Sequence, residues 1–315
     1  MDRLDVRIIR ELTQGQSNAP ARPGLLASYR KIARALGVSP GTVRNRMARM
    51  TRSGFLNGTT AYVNPNALGL GAAAWTIEVD PSLAKDEVIR KIARLEGVIF
   101  FENFRGSLLG IGFLYEGEAG RRRMRERIRR IARATPVLYS RVRFPPCTGP
   151  MTAAEWMTAL AVMSDDGWTY AQLARRLNAS VRTVKRRISR LARTGAMFTF
   201  PRMDYRKVLG GVTAELLVTY RDPSARGDSE RRVLARLEEW LTFTGIWEEY
   251  SMYRLLLPNV AMASDLAREV GRLPGVRSVR GELVDEVIDR FGTLRLFVER
   301  LASNGRGDGI PRTPL

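Results

Sequence analysis

The sequence contains no histidine and a single cysteine, Cys147. Without imidazole it lacks the usual ligands of zinc and haem and the commonest general base, and one thiol cannot build a disulfide scaffold. Most metal and triad chemistries are thereby excluded, and no cofactor is implied. Lysine is also scarce, confined to positions 31, 85, 91, 185 and 207, so the 52 basic residues are nearly all arginine. No apolar run approaches the roughly 20 residues that span a bilayer. The start, Met-Asp-Arg-Leu-Asp, lacks the cationic-then-apolar pattern of an export signal. A soluble, cytoplasmic chain without a membrane partner is expected.

What is present is length and positive charge. A chain of 315 residues implies two or more domains, and 52 basic against 32 acidic residues leave a formal charge of +20. Such an excess favours a polyanionic partner, because each cation placed near a phosphate releases condensed counterions. Nucleic acid comes first and an anionic membrane second; the alternative is a solvated surface loaded with arginine.

An internal repeat organises the chain. Shifted by 141 residues, Ser28–Gly54 falls on Thr169–Gly195 without a gap, and 11 of the 27 positions are identical, among them Tyr29/Tyr170, Ser39/Ser180, Val43/Val184, Arg49/Arg190 and Gly54/Gly195. Leu68-Gly69 meets Leu209-Gly210 at the same shift. Between the copies, Phe144-Pro-Pro-Cys-Thr-Gly-Pro150 cannot continue a helix or a sheet and reads as a linker.

Each copy begins with three helices. In the first, Leu4, Ile8, Ile9 and Leu12 recur at helical spacing, and a loop is expected from Thr13 to Gly24. Tyr29, Ile32, Ala33 and Leu36 stripe a second helix that Gly37 stops. Ser39 caps a third with Pro40 at its first position, striped by Val43, Met47 and Met50. Asn57-Gly58, between two short apolar runs, signals a hairpin wing. Copy two repeats the plan over Trp156–Met163, Tyr170–Leu177 and Val181–Thr194, with a break at Asp165-Asp-Gly167 and a weaker wing at Ala196–Met203 interrupted by Pro201.

Strand, helix, strand, strand, helix, strand follows in both copies. The expected elements are Ala72–Val79, Lys85–Leu95, Val98–Arg105, Leu108–Tyr115, Ala119–Ala134 and Val137–Phe144, then Thr213–Tyr220, Glu230–Leu241, Ile246–Tyr250, Arg254–Asn259, Met262–Arg272 and Val276–Leu283. The class is α+β: two tandem copies of a winged helix-turn-helix plus a ferredoxin-like βαββαβ module. The boundaries read 1–66 and 67–145 for the first copy, 146–150 for the linker, 151–207 and 208–284 for the second copy, and 285–315 for a C-terminal helix, from about Asp285 to Leu301, and tail.

With these elements placed, Ile32-Ala-Arg-Ala-Leu-Gly-Val-Ser-Pro-Gly-Thr-Val-Arg-Asn-Arg-Met47, Gly54-Phe-Leu and Val63-Asn-Pro-Asn-Ala-Leu-Gly69 closely resemble the Lrp/AsnC family of transcription regulators. The resemblance implies DNA binding through the third helix of each winged unit, assembly through the αβ sheets, and a small-molecule effector, often an amino acid, between them. Where the family carries a glycine, a polar or acidic residue, a tyrosine and an aspartate near the effector pocket, this chain has Arg105-Gly-Ser-Leu-Leu109 and Tyr250-Ser-Met-Tyr-Arg254; neither keeps the aspartate and the second loses the glycine, which argues against amino-acid sensing. Sirohaem decarboxylases resemble the same two-module architecture, but they use histidine near the haem. A ligand-binding or assembly module that no longer touches DNA is the other alternative.

On a wheel with the apolar stripe inward, the outward arc of the first third helix is Gly41, Arg44, Asn45, Ala48, Arg49 and Arg52. That of the second is Arg182, Lys185, Arg186, Ser189, Arg190 and Arg193. Arginine and asparagine read guanine and adenine edges in the major groove. Ser39, Thr42 and Thr183 at the helix starts complete the candidate DNA site, with Arg46 and Arg187, which sit beside the stripe and suit a phosphate contact or packing. A solvated face is preferred over a second phosphate surface for Arg121–Arg130, and an incidental thiol over a nucleophile for Cys147. Glu238-Glu239 and Glu248-Glu249 read as structural, and Leu68-Gly-Leu-Gly71 as a close backbone crossing. The αβ modules are expected to pair, as an intrachain pseudo-dimer or a homo-oligomer, through Trp75, Ile77, Phe101, Phe104, Leu217 and Trp247, because a sheet with both helices on one side leaves its other face to be covered. Differing third helices imply an asymmetric operator.

Overall fold

A computed structural model describes residues 1–13, 29–164, 168–208 and 210–303, without the side chains of 301–303. The loop expected after Thr13, the break at Asp165–Gly167, Leu209 and the tail beyond Ser303 lie outside the described residues.

In chain order the first copy comprises α1 (Arg3–Thr13), α2 (Tyr29–Leu36), α3 (Pro40–Arg52), β1 (Leu56–Val63), β2 (Gly71–Glu78), α4 (Lys85–Ile92), β3 (Val98–Phe104), β4 (Leu108–Tyr115), α5 (Gly117–Ala132) and β5 (Thr135–Val142). The second comprises α6 (Ala153–Met163), α7 (Tyr170–Arg176), α8 (Val181–Arg193), β6 (Met197–Met203), β7 (Val212–Tyr220), α9 (Arg226–Leu237), β8 (Leu241–Ile246), β9 (Ser251–Leu257), α10 (Val260–Gly271), β10 (Val276–Asp289) and α11 (Thr293–Ser303). The expected fold class holds.

Three expectations need correction. Asn57-Gly58 does not turn a hairpin. It forms an irregularity inside β1, with Gly58 at φ +89°, and β1 runs on to pair antiparallel with β6 from the other copy, Thr60 opposite Phe200 and Val63 opposite Met197. The hairpin signal is local, whereas the partner strand lies about 140 residues away. The second strand of the second module is Leu241–Ile246 rather than Ile246–Tyr250. Finally, residues 285–289 are strand, not helix, because β10 runs past its own module.

That overrun joins the copies. Each module has the antiparallel order fourth-first-third-second, β5-β2-β4-β3 and β10-β7-β9-β8, and the two sheets fuse into one of eight strands. The first half of β10 pairs with β7, Val279 opposite Val218, and its second half with β3, Ile288 opposite Phe101. β10 thus closes the edge of β3, which would otherwise expose a row of unpaired backbone groups.

The modules also meet face to face. On β2, Ala73, Trp75 and Ile77 point toward α4 and α5, while Ala74 meets Leu217, Trp247, Tyr250 and Met252 of the second module. Of the residues expected to mediate pairing, Leu217 and Trp247 do so. Phe104 also meets the second module, packing with Val284 of β10 beside the β3–β10 ladder, whereas Trp75, Ile77 and Phe101 lie on the helix side. Both faces of β2 are buried, so its apolar run lacks the alternation that would reveal which face is which.

The helical units are exchanged between copies. Val6, Ile9, Met50 and Phe55 of the first share a core with Tyr205 and Leu256 of the second copy, and Arg10 donates to the carbonyl of Glu238 at 2.8 Å. α6 and α8 of the second unit share a core with Val63, Ala67 and Val298, the last from α11. Continuity of β1–β6, β3–β10 and these docked helices makes the chain a covalent pseudo-dimer.

Candidate nucleic-acid interface

The two third helices are built alike. Ser39 and Ser180 adopt extended backbone and accept from the amides of Thr42 at 3.0 Å and Thr183 at 3.1 Å, satisfying a donor that the first turn leaves open. Each serine hydroxyl also lies 2.9 Å from the threonine hydroxyl, so Thr42 and Thr183 serve the caps. The preceding turn is reproduced with different residues: Gly37 at φ +69° in the first copy is Asn178 at φ +45° in the second. Both belong to the types that tolerate the left-handed region.

Val43 and Met50 of α3, and Val184, Ile188 and Leu191 of α8, are buried. The opposite face exposes Arg44, Asn45 and Arg52 on α3 and Arg182, Lys185, Arg186, Ser189 and Arg193 on α8, while Gly41 is half-buried. Lys185 Nζ sits 5.3 Å from the centre of the Tyr170 ring, which orients it without neutralising it.

Other candidates form ion pairs within their own helical unit. Asp5, fully buried at the start of α1, accepts from Arg46 at 3.2 Å and from Arg49, and Arg46 also pairs with Asp2. In the second copy buried Glu155, at the start of α6, accepts from Arg190 at 2.6 Å and closes a capping box with Thr152. The identical pair Arg49/Arg190 therefore locks each third helix to its first. Both arginines remain partly exposed, 46% and 42% of the side chain, so the outward placement and the ion pair coexist. Arg46 lowers the pKa of the Asp2 carboxyl through its hydrogen bond. Arg187 is half-buried, as its place beside the stripe implied.

On α5, Arg122, Arg127 and Arg130 are exposed as expected, whereas Arg125 stacks over Tyr139 at 4.3 Å and Trp75 at 5.2 Å. Arg3 pairs with Glu239, Arg10 with Glu238 and Arg143 with Glu248, which gives the acidic pairs structural partners. Burial pushes the Cys147 thiol up, away from nucleophilic character. Gly71 is a close crossing: a Cβ there would meet the Tyr115 ring at 2.5 Å. Among the described residues no cluster of histidine, cysteine and acidic side chains could hold a metal, and no helix is long and apolar enough to cross a membrane.

The sequence missed a buried ionic group between the modules. Cross-strand register sets Glu215 on β7 opposite Arg254 on β9; Arg254 Nε donates to Glu215 at 2.6 Å, Nη2 to Glu102 of β3 at 2.6 Å and Nη1 to the Tyr205 hydroxyl at 3.2 Å. All four residues are buried. Burial and the neighbouring Glu215 push Glu102 up to about 8, and burial likewise raises Glu215. Single acids and arginines scattered over 150 residues carry no local signal of this group.

An AsnC-type helix-turn-helix domain matches residues 1–51, and a homeodomain-like domain matches residues 153–196. The HTH-type transcriptional regulator Ptr1 of Methanocaldococcus jannaschii is 37% identical over 100 residues, and the regulatory protein AsnC of Haemophilus influenzae 32% over 101 residues. Each match takes in 31% of this chain and 61% of the relative, so the chain spans about three-fifths of the length of these curated relatives. A crystal structure of the siroheme decarboxylase NirDL superposes over 96% of this chain and 99% of its own with a TM-score of 0.54 at 14% identity, a likeness of fold.

Proposed function

We propose that this chain, whose residues 1–51 match an AsnC-type helix-turn-helix domain, is a non-enzymatic, sequence-specific DNA-binding transcription regulator of Lrp/AsnC type acting in the cytoplasm. The observation that carries the reading is the duplicated third helix: capped at its start, locked to the first helix by a buried acid, and exposing Arg44, Asn45 and Arg52 in one copy and Arg182, Lys185, Arg186 and Arg193 in the other. Asparagine pairs with adenine edges, arginine with guanine edges or phosphates. Because the two units are joined in one chain and read with different side chains, the operator has two unlike half-sites. Self-association of single-copy modules is replaced here by an intrachain pair.

Retention of duplex DNA should fall steeply with salt, with a slope near −0.9 per neutralised phosphate, and fragments selected from a genomic pool should bind far more tightly than random duplex. Equal affinity for both would defeat the reading. The fold shared with a decarboxylase is tested separately: protein incubated with sirohaem should show no Soret band attributable to a bound complex.

A further inference from the structure

The outer helix α5 of the first αβ module carries more charge than its place in the fold requires. Met124, Ile128 and Ala132 seat it on the sheet, and two of its arginines serve that seat: Arg125 stacks over Tyr139 and Trp75, and Arg121 is held by Glu118 and the Tyr139 hydroxyl. Every exposed position from 122 to 133 is arginine except Glu126. Glu126 takes Arg129 at 3.3 Å and Arg130 at 3.6 Å, whereas Arg123 and Arg127 form no ion pair among the described residues. Arg123, Arg127 and Arg130 follow one another at spacings of four and three, where like charges repel. The helix dipole favours cations in the last turn alone, yet Arg122 and Arg123 lie in the first half of this 16-residue helix. The second copy supplies a control. α5 and its cap Arg133 carry eight arginines against Glu118 and Glu126, while α10, the same helix of the second module, and its cap Arg272 carry two against Asp265 and Glu269. Exposure alone suits a solvated face, but a solvated face gives no reason for this difference between the copies.

We propose that the outer face of α5 is a second phosphate-binding surface for duplex DNA, engaged without regard to base sequence and additional to the third helices. Residues 122–133 span about 16 Å of helix axis at 1.5 Å per residue. A duplex carries one charge per about 1.7 Å of its axis, so the face lies against about ten phosphate charges. The exposed cations are all arginine, whose planar fork pairs with phosphate oxygens two at a time, and α5 contains no lysine. Between positions 122 and 133 no aromatic or aliphatic side chain is exposed. The face therefore lacks the anchors by which a protein partner or a lipid bilayer is gripped. The proposal rests on the regulator reading, which brings the duplex: the third helices set the register, and α5 adds affinity.

The test compares two variants of the full chain that lose the same positive charge. One carries Arg122→Gln, Arg123→Gln, Arg127→Gln and Arg130→Gln on α5; the other carries Arg231→Gln, Arg232→Gln, Arg268→Gln and Arg272→Gln on the outer helices of the second module. All these positions are exposed and glutamine keeps helix propensity, so both variants should fold as the parent does. Log affinity for a random duplex is then measured against log salt. The α5 variant should flatten the slope by about 0.9 for each arginine in contact, about 1.8–3.6 for two to four contacts, and the second-module variant by less than about 0.9. The motif enriched from a random library should be the same for all three proteins, because phosphate contacts carry no base information. If the parent binds duplex but both variants flatten the slope alike, or the α5 variant keeps the parent's slope, the α5 surface is overturned and the regulator reading stands. Loss of retention on phosphatidylserine vesicles by the α5 variant, with its duplex slope unchanged, would likewise overturn it and assign the face to a membrane. A parent that binds no duplex would overturn both readings.

Discussion

Arg49 and Arg190 separate two roles that a helical wheel confuses. If they are locks rather than DNA contacts, Arg49→Ala should destabilise the first helical unit and leave the electrostatics of DNA binding alone. Asp5 is fully buried, while the Arg49 side chain is 46% exposed. Removing one partner of a fully buried pair costs about 3–5 kcal/mol. With the guanidinium nearly half solvated and Arg46 still in place, the structure supports about half of that, near 2 kcal/mol. Arg190→Ala should cost a similar amount, about 2 kcal/mol, since Glu155 is equally enclosed. The assay has two arms, denaturant titration of each variant and the slope of log affinity against log salt for one selected duplex. Stability should fall and the slope should stay constant, whereas Arg52→Ala and Arg193→Ala should leave stability within about 0.5 kcal/mol and flatten the slope by about 0.9 each. Unchanged stability together with a flatter slope in Arg49→Ala would refute the lock and return the residue to the DNA face.

Three further outcomes follow. Asn45→Ala should relax base choice in one half-site and Arg186→Ala in the other, each by about 1–3 kcal/mol, as read by competition with single-base variants of the selected duplex. Because Glu102 holds its proton up to about 8 in the folded chain but only to the ordinary carboxyl range when unfolded, stability should decline as pH rises from about 4.5 to 8; denaturation midpoints across that range should show the decline, and Glu102→Gln should flatten it. Gly112→Ala places a Cβ within about 2.0 Å of the Phe100 ring, and overpacking of this kind costs about 1–3 kcal/mol, which a denaturant midpoint would show.

Much of the fold is written locally. Ser39-Pro40 and Ser180 mark where the third helices begin, the apolar stripes of α3 and α8 state which face is inside, and the 27-residue repeat reveals the duplication. What was misread depends on partners distant in sequence. Asn57-Gly58 has the chemistry of a turn, but β6 offers β1 a full antiparallel partner, and the ladder prevails. Residues 285–289 carry a pattern compatible with a helix until β3 presents an open edge. The helix-side and module-side faces of β2 could not be told apart because both are apolar. At the candidate site the caps and the exposed arginines and asparagine were legible, since they follow from helical period alone. The locks on Arg49 and Arg190 were not, because the acids they meet lie at the starts of other helices.

The central claim, two unlike reading heads in one chain, is tested most directly by selecting bound duplexes from a random library with the intact protein and reading the enriched motif. The account predicts a single motif of two half-sites, about one helical turn or a multiple apart, that differ in sequence and respond separately to Asn45→Ala and Arg186→Ala. A motif of two identical half-sites, or a library that emerges without enrichment, would contradict it.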